Sequence, residues 1–149
     1  MTQKTFEELF PNLGNWKKTS NATNAYNCVA FAASEDSRWW DCAPFDDYYW
    51  PENVPRDDTL ATFIELYKAL GYQVCPDGSL EQGCEKIVIY ANRLGIVEHV
   101  ARQLPNGSWT SKIGEREDIM HETPDSLAGD EYGQPICFMS RPNRQEAAV

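Results

Sequence analysis

Hydrophobic spacing along the chain changes character near its middle. Leu60, Phe63, Ile64, Tyr67 and Leu70 recur every three or four residues, which predicts a helix with one apolar face. Asp57, Asp58 and Thr59 offer capping oxygens at its start, and Gly71 closes it. An earlier helix is expected over residues 26–34, where Ala30, Ala32 and Ala33 favour helix and Thr23 or Asn24 can cap. Past Gly71 the period shortens. Residues 72–75 read as a short strand, and 85–91, with Ile87, Val88, Ile89 and Tyr90 in a row, as a strand covered on both faces. Residues 97–104 and 108–113 flank Pro105-Asn106-Gly107, a hairpin signal, and the expected register sets Gln103 against Thr110 and Ala101 against Lys112. Residues 124–127 read as a helical turn and 136–139 as a last strand.

Outside these elements the pattern is weak. Residues 1–24 are polar around scattered anchors (Phe6, Leu9, Phe10, Leu13, Trp16), residues 36–56 form an irregular aromatic stretch, and 142–149 form a tail. Helices first and strands after predict an α+β fold, N-terminal helices packed on a mostly antiparallel sheet. The 149 residues suit one domain with an ordered core of about 5–142.

Composition narrows the functional classes. A net charge of −10 repels phosphate, so neither nucleic acid nor an anionic membrane is expected as a partner. No apolar run approaches the length of a membrane span, and the N-terminus lacks an apolar signal region, so a cytoplasmic location is expected. Five cysteines without a CxxC pair then read as free thiols. Neither a nucleotide loop nor a calcium-loop spacing is present.

The chemistry-bearing segment is Tyr26-Asn27-Cys28-Val29-Ala30-Phe31-Ala32, which sets a cysteine in the first turn of a helix. Unpaired backbone N–H groups there favour thiolate. Such a nucleophile needs a base, and the chain offers two histidines. His99, on the strand entering the Asn106-Gly107 turn, is expected to face Cys28. His121 sits in an acidic stretch and reads as a surface or capping residue. Thr110, Ser111 and Lys112 on the partner strand are candidates to orient His99, with Asp118 and His121 as more distant substitutes. Asn21, Asn24 and Asn27 are candidate oxyanion or substrate-positioning groups. Arg38–Pro51 concentrates six aromatic rings between Trp39 and Trp50. Trp39, Trp40 and Trp50 either line a cleft or pin the segment to the core. A zinc site from Cys28, His99 and His121 has no recognised spacing, and none is expected.

Asn27–Ala32 resembles the cysteine-helix opening of papain-like thiol hydrolases. His99–Trp109 resembles the histidine strand and hairpin of bacterial NlpC/P60 and CHAP-type amidases. The resemblance implies a papain-like fold and a hydrolase of amide, peptide or isopeptide bonds that needs no cofactor, with Cys28 as nucleophile, His99 as base and Ser111 steadying the ring. The chain also resembles an uncharacterised family of small bacterial proteins over about residues 10–142, through Asn27–Ala32, Trp39-Trp40, Tyr49-Trp50-Pro51 and Trp109-Thr110-Ser111-Lys112. The alternative from the residues alone is a non-catalytic interaction module, an inhibitor, immunity-type or adaptor protein that masks a basic protein partner.

Overall fold

A computed structural model of the chain describes residues 4–23, 25–34, 39–41 and 49–142. The elements run α1 (Phe6–Leu9), β1 (Trp16–Ser20), α2 (Cys28–Ala32), α3 (Leu60–Lys68), β2 (Gln73–Cys75), β3 (Cys84–Ala91), β4 (Val97–Gln103), β5 (Trp109–Lys112), β6 (Asp118–His121), a 3₁₀ turn (Pro124–Leu127) and β7 (Gln134–Pro142). The strands form one seven-stranded sheet in the order β1-β6-β5-β4-β3-β7-β2. Every pairing in it is antiparallel. The architecture is α+β. Among the described residues no helix is long and apolar enough to cross a membrane.

Antiparallel strands put directly opposed residues on one face. Ile87, Ile89 and Val100 point to the face that carries α2 and α3, where they join Ala30, Ala32, Phe63, Leu66 and Tyr67 in one core. Val88, Tyr90, Ala101, Trp109 and Ile119 point the other way, into a second core closed by Phe6, Phe10, Leu13 and Leu127. The continuous apolar run in β3 is thus the signature of a strand buried on both sides.

Three elements arise where no strand or helix is expected. Thr5 and Glu8 build a reciprocal cap that starts α1 within the polar N-terminus. β1 is an edge strand, mostly exposed, so it shows no apolar alternation. β6 is buried, although its first and last residues are Asp118 and His121. The first helix is shorter than expected and takes its cap from Asn27. Thr23 instead accepts from the Ala25 N–H at 3.2 Å, and Asn24 lies outside the described residues. In the β4–β5 hairpin, Gly107 with φ +91° allows a turn in which the Leu104 N–H donates to Ser108 O at 2.7 Å. Three residues therefore lie between the closing pair. The register becomes Arg102↔Thr110 and Gln103↔Trp109, one residue from the expected pairing. A slip of one residue exchanges faces. It sends Ser111 to the Trp109 face and Lys112 to the α2 face.

Candidate functional site around Cys28 and His99

Asn27 is the reason α2 begins at Cys28. Its side-chain oxygen accepts the Ala30 N–H at 3.2 Å and the Trp40 N–H at 3.1 Å, and its amide donates to Trp40 O at 2.5 Å. A cap of this kind contributes about 0.5–2 kcal/mol. All three contacts are structural, so Asn27 has its amide committed to the scaffold rather than to an oxyanion or substrate. Asn21 is exposed and accepts from Lys18 Nζ at 3.4 Å.

The Cys28 thiol lies where the sheet opens. β4 and β5 pair only at Arg102 and Gln103. The Leu104 N–H points toward β5, and by strand alternation the N–H of Arg102 and Val100 point the same way. The Val100 N–H, beyond the last paired residue, is among the groups that favour the Cys28 thiolate. Burial pushes the thiol up to about 11, against the N–H groups of Val100, Val29 and Cys28 itself and, more weakly, the Lys112 ammonium. The low thiol pKa expected for a cysteine at a helix start is therefore not what this environment gives. α2 has five residues, too short for its dipole to outweigh desolvation. Two phenols from opposite sides of the sheet sense the sulfur. Tyr67 and Tyr132 are both raised well above the ordinary tyrosine value, first by burial and then by Cys28.

His99 is opposed to Tyr90, so its ring enters the second core rather than the α2 face. This corrects the expectation of a histidine facing the cysteine helix across one sheet surface. The bulge between Tyr90 and Ala91 resets the strand just there. The ring is 1% exposed and lies flat on Tyr132, with centroids 4.1 Å apart and planes 3° from parallel. Tyr132 is held by a small loop in which Gly129 and Gly133 exchange backbone hydrogen bonds at 2.8 and 3.0 Å. Gly133 has φ +77°, and a Cβ on it would stand 2.1 Å from Ala91 O, so only glycine fits.

Ser111 is brought to His99, with its Oγ 2.9 Å from His99 Nε2. Beyond it the chain of contacts continues to a residue that the sequence reading leaves on the surface. His121 is fully buried, with Nε2 2.8 Å from Ser111 Oγ and Nδ1 2.9 Å from Thr123 O. The correction follows from β6, which pairs with β5 and turns a polar residue inward. Burial lowers His99 well below the ordinary imidazole value, with His121 adding to the effect. Burial also lowers His121 to about 4, partly offset by the Thr123 carbonyl. His99 Nδ1 is buried and has no hydrogen-bond partner among the described residues.

The other candidate orienters serve the scaffold. Thr110 Oγ1 donates to Ile119 O at 3.2 Å, and Asp118 accepts from the Tyr26 hydroxyl at 2.6 Å. Lys112 donates to the carbonyls of Thr23 and Gly114, each at 2.8 Å, and of Arg116. Trp40 and Trp50 are each 4% exposed and belong to the α2–α3 core. Trp50 Nε1 donates to Pro55 O at 2.9 Å. They pin the aromatic segment rather than line a cleft. Trp39 is half-buried. Arg38, Cys42 and residues 43–48 lie outside the described residues.

With the fold and this cluster in place, comparison with known proteins gives a family and no more. Residues 17–140 match the domain of unknown function DUF7689, and the chain belongs to that family. No curated protein and no solved structure matches it.

Proposed function

We propose that the protein is a papain-like cysteine hydrolase of the NlpC/P60 kind, acting on an amide, peptide or isopeptide bond through Cys28 and His99. One observation carries the reading. His99 has Nε2 occupied by Ser111 and a buried Nδ1 without a partner among the described residues, while the N–H of Val100, the next residue, favours the Cys28 thiolate. A buried polar nitrogen without a partner costs about 1–3 kcal/mol, and among the described residues His99 Nδ1 is the one imidazole nitrogen left in that state.

The pair rests as neutral thiol and neutral imidazole. As the sulfur attacks the carbonyl carbon, its proton passes to His99 Nδ1. The imidazolium then gives that proton to the leaving nitrogen as the C–N bond breaks, and a thioester remains. A water deprotonated at the same nitrogen releases the acid and restores the thiol. No cofactor enters these steps. Cys28, Cys75, Cys84 and Cys137 are free thiols, which accords with action in the reducing cytoplasm.

A second reading, a non-catalytic module for a basic protein partner, is favoured by the raised Cys28 thiol and the near-complete burial of His99. Pulsed iodoacetamide labelling at pH 7.5 with peptide mass spectrometry separates the two. For the hydrolase, His99 Nδ1 takes the proton as the sulfur attacks, so Cys28 alkylates ahead of Cys75 and Cys84 despite its raised thiol, and His99→Gln abolishes the lead while keeping a donor for Ser111. If Cys28 lags the other thiols and ignores His99→Gln, the module is the better account.

A further inference from the structure

We infer that His121 is a positioning residue for the site, fixing the tautomer of His99 through the hydroxyl of Ser111. The inference rests on the Cys28/His99 reading for its purpose, but its geometry stands alone. Four groups form one line across β4, β5 and β6: His99 Nε2, Ser111 Oγ, His121 and the Thr123 carbonyl. A carbonyl oxygen can only accept, and this sets the direction of every bond in the line.

Thr123 O accepts, so His121 Nδ1 carries a hydrogen and donates it. Both rings are enclosed, with no carboxylate bonded to either, so both are neutral. A neutral His121 with hydrogen on Nδ1 presents a lone pair at Nε2. At 2.8 Å that lone pair must receive the Ser111 hydroxyl hydrogen. The hydroxyl has a single hydrogen. Its oxygen therefore accepts from His99, which must carry its hydrogen on Nε2. Nδ1 of His99 is left as a lone pair, the form a base needs to take a proton from a thiol.

Ser111 alone could not accomplish this. A hydroxyl donates or accepts with equal ease, and a lone serine beside His99 would serve either tautomer. His121 removes the choice, because it consumes the hydroxyl hydrogen. The Thr123 carbonyl removes the choice for His121 in turn. A backbone atom next to the 3₁₀ turn thus determines which nitrogen of a ring two strands away is bare.

Two-bond proton–nitrogen correlation spectra of the full-length protein labelled with ¹⁵N-histidine report the tautomers directly. In the wild-type protein at pH 7.5, the expected result is hydrogen on Nε2 of His99 and on Nδ1 of His121, each as a single tautomer. Hydrogen on Nδ1 of His99 overturns the inference, whatever the variants do. In His121→Ala the Ser111 hydrogen is released, and His99 loses its single tautomer. His121→Gln, whose amide oxygen can accept the hydroxyl, restores it. Should His121→Ala not fold, Ser111→Ala gives the same loss of a single tautomer. A His99 tautomer unchanged in a folded His121→Ala or Ser111→Ala protein also overturns the inference. The spectra and the labelling experiment fail separately. An unreactive Cys28 beside an Nε2–H His99 ends the hydrolase and leaves the relay standing. A reactive Cys28 beside an Nδ1–H His99 does the reverse.

Discussion

Ser111 and Lys112 are neighbours on β5 and point to opposite faces of the sheet, where each belongs to a different kind of buried polar site. Lys112 is fully buried, and its ammonium meets three backbone carbonyls and lies 5.4 Å from the Tyr26 ring. Every hydrogen it can donate has an acceptor. The bonds of Ser111 join neutral groups, and their line ends at His99 Nδ1, which has no hydrogen-bond partner among the described residues. Lys86 repeats the Lys112 pattern elsewhere, with Glu81 at 2.8 Å and the Asp77 carbonyl at 3.0 Å. Lys112 and Lys86 are thus fully satisfied. His99 Nδ1 is instead one of several buried side-chain atoms without a hydrogen-bond partner among the described residues, with Trp40 Nε1 and Asp118 Oδ1, and it is the one imidazole nitrogen in that group.

The strongest attempt to break this contrast is Lys112→Met. It keeps the apolar stem and strands three carbonyls, so stability should fall by about 3–5 kcal/mol in urea denaturation. A loss below about 1 kcal/mol would mean the ammonium is not what organises the loops at Thr23, Gly114 and Arg116. Acid comes next. His121 is lowered from 6.5 to about 4 by burial, so the unfolded chain binds a proton there before the folded one does. Stability is then fully present above pH 6.5 and declines as pH falls toward 4. His121 alone accounts for about 3 kcal/mol of that decline. His99 is lowered too and steepens it. Denaturant midpoints measured between pH 7.5 and 4 test this, and His121→Gln should flatten the curve. A profile equally steep in His121→Gln would assign the acid sensitivity elsewhere. The smallest effect is expected for Ser111→Ala. It leaves one imidazole N–H and one imidazole lone pair unpaired, at a cost of about 1–3 kcal/mol. If Ser111→Ala matched Lys112→Met in cost, the two faces would not differ in the way described.

The sequence made some of this legible and hid the rest for physical reasons. Helix α3 declared itself by period, β3 by its apolar run, and the β4–β5 hairpin by Asn106-Gly107. Cys28 at a helix start and His99 on the following hairpin were readable as chemistry. What failed was orientation. A one-residue difference in how the turn closes exchanged the faces of Ser111 and Lys112, and the regular alternation of β4 from Ala101 to His99 put His99 opposite Tyr90 on the second-core face. His121 was missed because β6 buries Asp118 and His121, which read as exposed when their partners on other strands are unknown. The signal that could have found it was Gly114 four residues before Asp118. Gly114 begins a tight turn in which the Ile113 N–H donates to Glu117 O at 3.2 Å, which implies a strand returning beside β5.

Asn27 adds a directional polar link between two parts of the molecule that already share a core. One planar amide holds both backbone polar groups of Trp40 and the Ala30 N–H of the helix that carries Cys28. It acts as a stiff crank. Hydrogen bonds tolerate only a few tenths of an ångström before they weaken, so a displacement of Trp40 must either carry the first turn of α2 with it or uncap the helix. Whatever grips the aromatic segment therefore also has leverage on the position of the sulfur, without touching it.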